Sequence, residues 1–254
     1  MTTEKKISTS IEKALALLNL FTETESVMNL EQIAAKTGLP KTTAFRILVQ
    51  LETFGYIRKK EHQGKLMYSL GLLFLEKAQL VKADLDIRTM AREEMLRLRN
   101  ELNLSVQLAV RDKDHAVYIE QFESYRPIRI YPSIGKRAPL YAAACPRLLL
   151  AYVDEEERQS LFDRFHYEPY TAGTIIDKTQ IGKILQDIRK RGYSVSRGEL
   201  FEGTLAIAVP IIEPYSGEVL ASLSVIGMEQ DFEEEIEQYV SKLKEAAATI
   251  MKAE

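Results

Sequence analysis

The chain of 254 residues has one cysteine, Cys145, three histidines, and no apolar run approaching a membrane span. A single cysteine excludes an intrachain disulfide and any zinc site built on several thiolates. His62, His115 and His166 lie far apart, which argues against a histidine-rich metal site, so no metal and no cofactor is expected. A transmembrane helix needs about 20 predominantly apolar residues, and every apolar stretch here is far shorter. The opening MTTEKKISTSIEKALALLNLF is broken by Glu12, Lys13 and Asn19 and lacks the apolar core of a secretory signal, so the chain reads as cytoplasmic, with no membrane partner. Twelve Gly and eight Pro exclude a collagenous chain, and 46% apolar with 28% charged residues excludes a mainly disordered one. The length predicts two domains.

The net charge of −3 is unevenly spread. Residues 1–70 hold ten Lys/Arg against seven Asp/Glu, a net +3, which leaves −6 for the remainder. Opposite signs suggest a small segment that meets a polyanion and a larger one that does not.

The first 70 residues read as three helices and a hairpin. Thr9 and Glu12 have capping-box spacing, and Ile11, Ala14, Leu15, Leu18 and Phe21 then recur with helical period. Asn29 and Gln32 repeat the box, Leu30, Ile33 and Ala34 follow, and Gly38 supplies a left-handed stop. Pro40 fits the first turn of a third helix, whose inward stripe is Ala44, Ile47, Leu48, Leu51 and Phe54. Its outward face carries Thr42, Phe45, Arg46, Val49 and Gln50, a mixture suited to base edges, thymine methyls and phosphates. The short Gly38-Leu39-Pro40 turn has helix-turn-helix length. YIRKKEHQGKLMYSL reads as a β-hairpin, the wing of a winged helix. From Pro40 to Tyr68 six basic residues stand against Glu52 and Glu61, with Arg58, Lys59 and Lys60 at the hairpin. The same outline also serves dimerisation or peptide-binding modules, and a run such as RKK also suits a solvated hairpin tip.

These residues resemble the IclR-type bacterial transcriptional regulators. LEQIAAKTGLPKTTAFRILVQLETFGYIRK is similar to the helix-turn-helix of that family, and YSLGLLFLEKA to the start of its interdomain helix. RIYPSIGKRAPLYAAA, RGYSVSRGELFEGTLAIAVPI and GEVLASLSVIG resemble signature segments of its C-terminal domain. The resemblance implies an α+β chain: a winged helix-turn-helix domain at 1–70, a linker helix at 71–84, and at 85–254 a GAF/PAS-like antiparallel sheet domain with packed helices. It implies a homodimer or tetramer on double-stranded palindromic operator DNA, answering to a small organic effector. Lys41, Thr42, Thr43, Phe45 and Arg46 correspond to the DNA-facing recognition positions, joined from the residue pattern by Gln50, Arg58, Lys59 and Lys60. Family members often carry Ser at position 42 and His at position 45. Phe45 cannot donate a hydrogen bond and should meet a thymine methyl or a sugar.

In the larger part, helices are expected at 71–83, 87–101, 154–165, 179–191 and 231–252, and 148–152 continues a helix. Strands are expected at 106–110, 117–122, 128–131, 193–196, 205–210 and 219–226. The resemblance places the effector among Tyr141, Ala143, Ala144 and Cys145, then Glu199 and Gly203, and Ala206, Ser222 and Ser224. Ser222 and Ser224 are two apart, so both point to one sheet face; the face is either ligand-lined or solvated. Cys145-Pro146-Arg147 stands where the family has Gly-Lys, and Ala206 where a cysteine is frequent. Arg147 fits either an anionic ligand or a surface salt bridge. Two other functions compete: a ligand sensor acting through protein contacts alone, and an enzyme with Cys145 as nucleophile and His115 or His166 as base. The reading chosen is a ligand-responsive regulator, a repressor, with no catalytic residues.

Overall fold

The structure, a computed structural model, describes residues 9–62, 64–127 and 132–252. It divides into two compact units, Met1–Asp84 and Leu85–Glu254.

In the first unit, α1 (Ser10–Leu18) and α2 (Leu30–Thr37) each open with a complete capping box, Thr9 with Glu12 and Asn29 with Gln32. Each box satisfies two backbone donors that the helix itself leaves without partners. Gly38 ends α2 at φ 67, where a side chain would be strained. Leu39 and Pro40 then lead into α3 (Lys41–Thr53). The core of this unit is Leu17, Met28, Ile33, Ala34, Ala44, Leu48, Ile57 and Tyr68. β2 (Ile57–His62) and β3 (Lys65–Leu70) form the expected hairpin, and a short β1 (Met28–Asn29), absent from the sequence reading, pairs with β3. Two expectations of burial are corrected. Phe54 follows the last turn of α3 and is 68% exposed, and on α1 Leu17 is buried whereas Ile11 and Leu15 face outward. α4 (Leu73–Ala83) follows Gly71 and buries no residue. A Cβ on Gly71 would stand 2.0 Å from the Gly55 carbonyl oxygen, so only glycine fits.

The second unit is built on a six-stranded antiparallel sheet of order β6-β5-β4-β9-β8-β7. Its strands are β4 (Ser105–Asp112), β5 (His115–Phe122), β6 (Arg137–Pro139), β7 (Ser194–Arg197), β8 (Thr204–Ile212) and β9 (Val219–Met228). β6 was not expected, and the strand expected at 128–131 lies outside the described residues. The helices are α5 (Asp86–Leu102), α6 (Ala144–Ala151), α7 (Glu155–Arg164), α8 (Lys178–Arg191) and α9 (Ile236–Ile250). α6 includes most of the stretch at 148–152 that was expected to continue a helix, and α9 starts at Ile236 rather than Asp231, which lies in a 3-10 turn.

Alternation along the strands makes the two sheet faces chemically different. Against α5 and α9 lie Val106, Leu108, Ile207, Val209, Ile211, Leu223 and Val225. The opposite face, toward α6 and α8, presents Ala109, Tyr118, Ala206, Ala208 and Ile226 together with Gln107, Ser222 and Ser224. A register shift at Leu108/Ala109 leaves Ile119 without a cross-strand partner. Beyond this bulge Glu120, nearly buried, meets Arg88 at 2.7 Å and Arg92 at 3.1 Å and ties α5 to the sheet.

Candidate functional site

The first candidate surface is the outward side of α3 with the β2–β3 hairpin. Lys41, Thr42, Phe45, Arg46 and Gln50 are exposed, while Thr43 is half-buried; Arg58, Lys59 and Lys60 are exposed on β2. Phe45 is 46% exposed, a large apolar ring kept in solvent beside Thr42, Arg46 and Gln50. Pro40 is the N-cap of α3 and supplies no side-chain acceptor, so the first-turn N–H groups of Lys41 and Thr42 stay available to an anion. Lys41 meets Glu31 at 3.1 Å and Lys59 meets Glu52 at 2.9 Å. Backbone hydrogen bonding, followed by the Lys41 ammonium, holds the Glu31 carboxyl below the usual carboxylate range. Both pairs are solvent-exposed and easily exchanged for a stronger anion. Arg58 donates to Ser69 Oγ at 3.0 Å, whereas Arg46 and Lys60 form no ion pair among the described residues.

The second candidate is an enclosed cavity between the α6 N-terminus and the polar face of the sheet. Its wall includes Ala143, Ala144, Cys145, Ala206 and Ser224 of the expected set, joined by Gln107, Tyr118, Ser196, Leu200, Phe201, Thr204 and Ile226. The volume is about 20 Å³, space for one water. Ala143 is bent to φ 69, ψ 174, a conformation natural to glycine. This bend starts α6 without a side-chain cap and points its first-turn N–H groups at the cavity end of the helix. The Cys145 thiol donates to Ser224 Oγ at 3.0 Å, and burial raises the thiol pKa against the lowering effect of the Ser222 and Ser224 hydroxyls.

The remaining expected effector residues surround this cavity without lining it. Glu199 is buried against Arg147 in an ion pair and also accepts from the Ala143 N–H at 3.5 Å. Arg147 donates in addition to the Tyr141 carbonyl at 3.2 Å. Arg147 is 1% exposed, so neither a surface salt bridge nor a free anion receptor describes it. With both charges satisfied by each other, the pair fixes the loop that enters α6. The Tyr141 hydroxyl accepts from the Glu168 N–H at 2.9 Å and bonds the His166 and Glu168 carbonyls, and its ring packs on Phe165 and Tyr167. Gly203, at φ 70, closes the 198–203 loop that carries Leu200 and Phe201, and Gly198 opens it at φ 61. Ser222 is fully buried beside the cavity, and its Oγ, although near enough to the Cys145 thiol to lower its pKa, has no hydrogen bond of normal geometry. Thus the face bearing Ser222 and Ser224 is buried, and the solvated alternative is excluded.

The sequence reading missed Gln107, Tyr118, Ser196 and Thr204. Alternation from Val106 and Leu108 puts Gln107 on the opposite face, the one signal that marks it. His115 pairs with Asp114 at 2.7 Å and His166 with Glu168 at 2.9 Å; neither lines the cavity that contains Cys145. No helix among the described residues is long and apolar enough to cross a membrane.

A helix-turn-helix unit followed by a sheet domain with an enclosed polar cavity defines a DNA-binding regulator, and sequence comparison gives the family. The model described as "Bacterial transcriptional regulator IclR C-terminal" matches residues 79–252, and "IclR helix-turn-helix domain" matches residues 10–61. The chain belongs to the IclR family of transcriptional regulators. It is 38% identical over 95% of its length to the HTH-type transcriptional regulator KipR of Bacillus subtilis, covering 95% of that protein. The structure of an IclR regulator from Alicyclobacillus acidocaldarius is 29% identical, with a TM-score of 0.80 over 96% of this chain and 97% of the other. A homologue from Microbacterium hydrocarbonoxydans, complexed with 4-hydroxybenzoate, shares the fold at 23% identity and TM-score 0.81 over 97% of this chain and all of the other. These relatives are regulators, so the chain is a regulator and not an enzyme.

Proposed function

We propose that the protein is a cytoplasmic homodimer, or a pair of dimers, that represses transcription from a palindromic operator and answers to a small organic effector. The observation that carries the reading is the exposed face of α3, where Arg46 has no ion-pair partner among the described residues and Thr42, Phe45 and Gln50 stand beside it. Arg46 reads a guanine edge or a phosphate, and Phe45 packs on a thymine methyl or sugar. Lys41, Thr42, Thr43 and the α3 N-terminus hold phosphates, as do Arg58, Lys59 and Lys60 on the wing. A bound dimer represses by occupying the promoter, which requires only DNA binding.

Dimerisation is supported by exposed apolar side chains, Ile11 and Leu15 on α1 and Leu75, Leu80 and Val81 on α4, that a second copy would cover. The effector occupies the cavity at the α6 N-terminus, whose present volume requires the half-buried Leu200 and Phe201 to move. The 4-hydroxybenzoate in the Microbacterium homologue supports a ligand of that size. Effector binding shifts operator affinity only through different affinities for two dimer geometries, which α4, as the linker, transmits to the recognition helices.

Fluorescence anisotropy with promoter DNA, across a salt series and against random competitor, tests the reading. Specific binding that weakens steeply with salt is expected, together with a loss of about tenfold or more in Arg46→Ala at unchanged thermal stability. Unchanged affinity and unchanged salt slope in Arg46→Ala would refute the assignment of α3 as the DNA-reading helix. Retained effector binding without any DNA binding would favour a sensor that acts through protein contacts.

A further inference from the structure

We propose that Phe45 and Leu66 form a methyl-reading recess that seats the 5-methyl group of a pyrimidine, so that operator affinity responds alike to thymine and to cytosine methylated at C5. The inference deepens the DNA-reading assignment above and rests on it. Phe45 on α3 and Leu66 on β3 are large apolar side chains left exposed on separate elements, and both line one recess between α2, α3 and β3. Leu30, the first residue of α2, and the buried Tyr68 complete its wall. Single apolar residues on a surface are ordinary, whereas apolar residues that three elements bring to one recess mark a contact surface.

The occupant follows from what borders the recess. Lys65 and Glu31 stand on its wall, and Lys41 meets Glu31 at 3.1 Å. The lysines suit phosphates that pass beside the recess. A phosphate does not suit its interior, because the Glu31 carboxylate borders it and the α2 N-terminus is already capped by Asn29, which accepts from the Gln32 N–H at 2.9 Å. An aromatic ring and two aliphatic side chains also offer nothing to the hydrogen-bonding atoms of a base edge. Among the groups a base pair presents in the major groove, the pyrimidine 5-methyl alone is apolar. Thymine carries it, uracil and ordinary cytosine lack it, and cytosine gains it on C5 methylation. Phe45 shares the outward face of α3 with Thr42 and Arg46. Arg46 therefore reads a polar edge or a phosphate, while the recess reads the neighbouring methyl.

The test is fluorescence anisotropy of the full-length protein with promoter DNA synthesised with thymine or with uracil. Burial of one methyl is worth about fourfold in affinity, so uracil DNA should bind about fifteenfold weaker when a dimer reads two half-sites. In Phe45→Ala the ratio falls to about twofold or less, and in Leu66→Ala it falls at least about twofold. Arg46→Ala weakens both DNAs and keeps the ratio. Phe45 and Leu66 are exposed, so thermal unfolding of their variants stays unchanged, which separates lost reading from lost folding. Single uracil substitutions then locate the methyl. With cytosine·guanine placed there, C5 methylation of that cytosine should raise wild-type affinity about fourfold. Equal affinity for thymine and uracil DNA would overturn the inference and put the Phe45 ring on a sugar. Survival of the full ratio in Phe45→Ala, its loss in Thr42→Ser instead, or no gain from cytosine methylation would overturn it as well. Each of these results leaves specific operator binding intact; its absence with thymine DNA would refute the regulator reading and the recess with it.

Discussion

The two faces of the C-terminal sheet share every strand and differ in almost every side chain. Toward α5 and α9 the rows read Val106, Leu108, Ile207, Val209, Leu223 and Val225, all buried in one continuous core. Toward α6 the intervening residues are Gln107, Ala109, Ala206, Ala208, Ser222 and Ser224, equally buried but small or polar. A sheet needing only stability would fill both faces with branched aliphatics, each worth about 1.5–3 kcal/mol on burial. The second face forgoes that gain, holds several buried polar atoms without partners, and borders the cavity. One face is the foundation, and the other is the face on which the effector reading rests.

The largest effect is expected where the polar face carries its own structural element. Glu199→Ala leaves the Arg147 guanidinium buried without its partner and should cost about 3–5 kcal/mol in chemical denaturation. A cost within about 1 kcal/mol would show that water reaches Arg147 and that the pair does not fix the α6 loop. On the aliphatic face Ile207→Ala should cost about 2–5 kcal/mol, the range for truncating a buried side chain in a rigid core. Ser222→Ala, on the opposite face, removes a hydroxyl that has no hydrogen bond of normal geometry, and is expected to be neutral or to stabilise by up to about 1 kcal/mol. A clear loss there would mean that the hydroxyl is bonded in solution.

Smaller again is the effect of pH through Cys145. Burial raises its thiol pKa above the ordinary thiol range, so the folded chain keeps a proton that the unfolded chain releases. The stabilisation from this group is present below about pH 9 and declines as pH rises beyond it. Cys145→Ala should flatten the alkaline limb of the stability profile. At neutral pH, alkylation of the native protein should be slow and should accelerate on unfolding; equal rates in both states would show the thiol to be open.

Much of this division was legible in the residues. The alternation of LAIAV and ASLSV announces one branched and one small face, and the capping boxes at Thr9 and Asn29 with Gly38 mark helix ends that the structure reproduces. What sequence could not show was partnership. Glu199 and Tyr141 are polar and adjoin the cavity, but a partner 52 residues from Glu199 and backbone groups at His166 and Glu168 already satisfy them. Gln107 was overlooked for the converse reason, since only the packed sheet reveals an amide left without a partner. Phe54 and Leu15 followed the apolar period yet remain exposed, because periodicity identifies an apolar stripe without saying what covers it.

The most direct test of the two-face account compares adjacent residues on β9 by denaturant unfolding. Leu223→Ala should lower stability by about 2–5 kcal/mol, while Ser224→Ala, which removes one hydrogen bond to a thiol, should stay within about 1 kcal/mol. Equal losses at the two positions would contradict the account, because they would make the α6 face as much a structural core as its reverse.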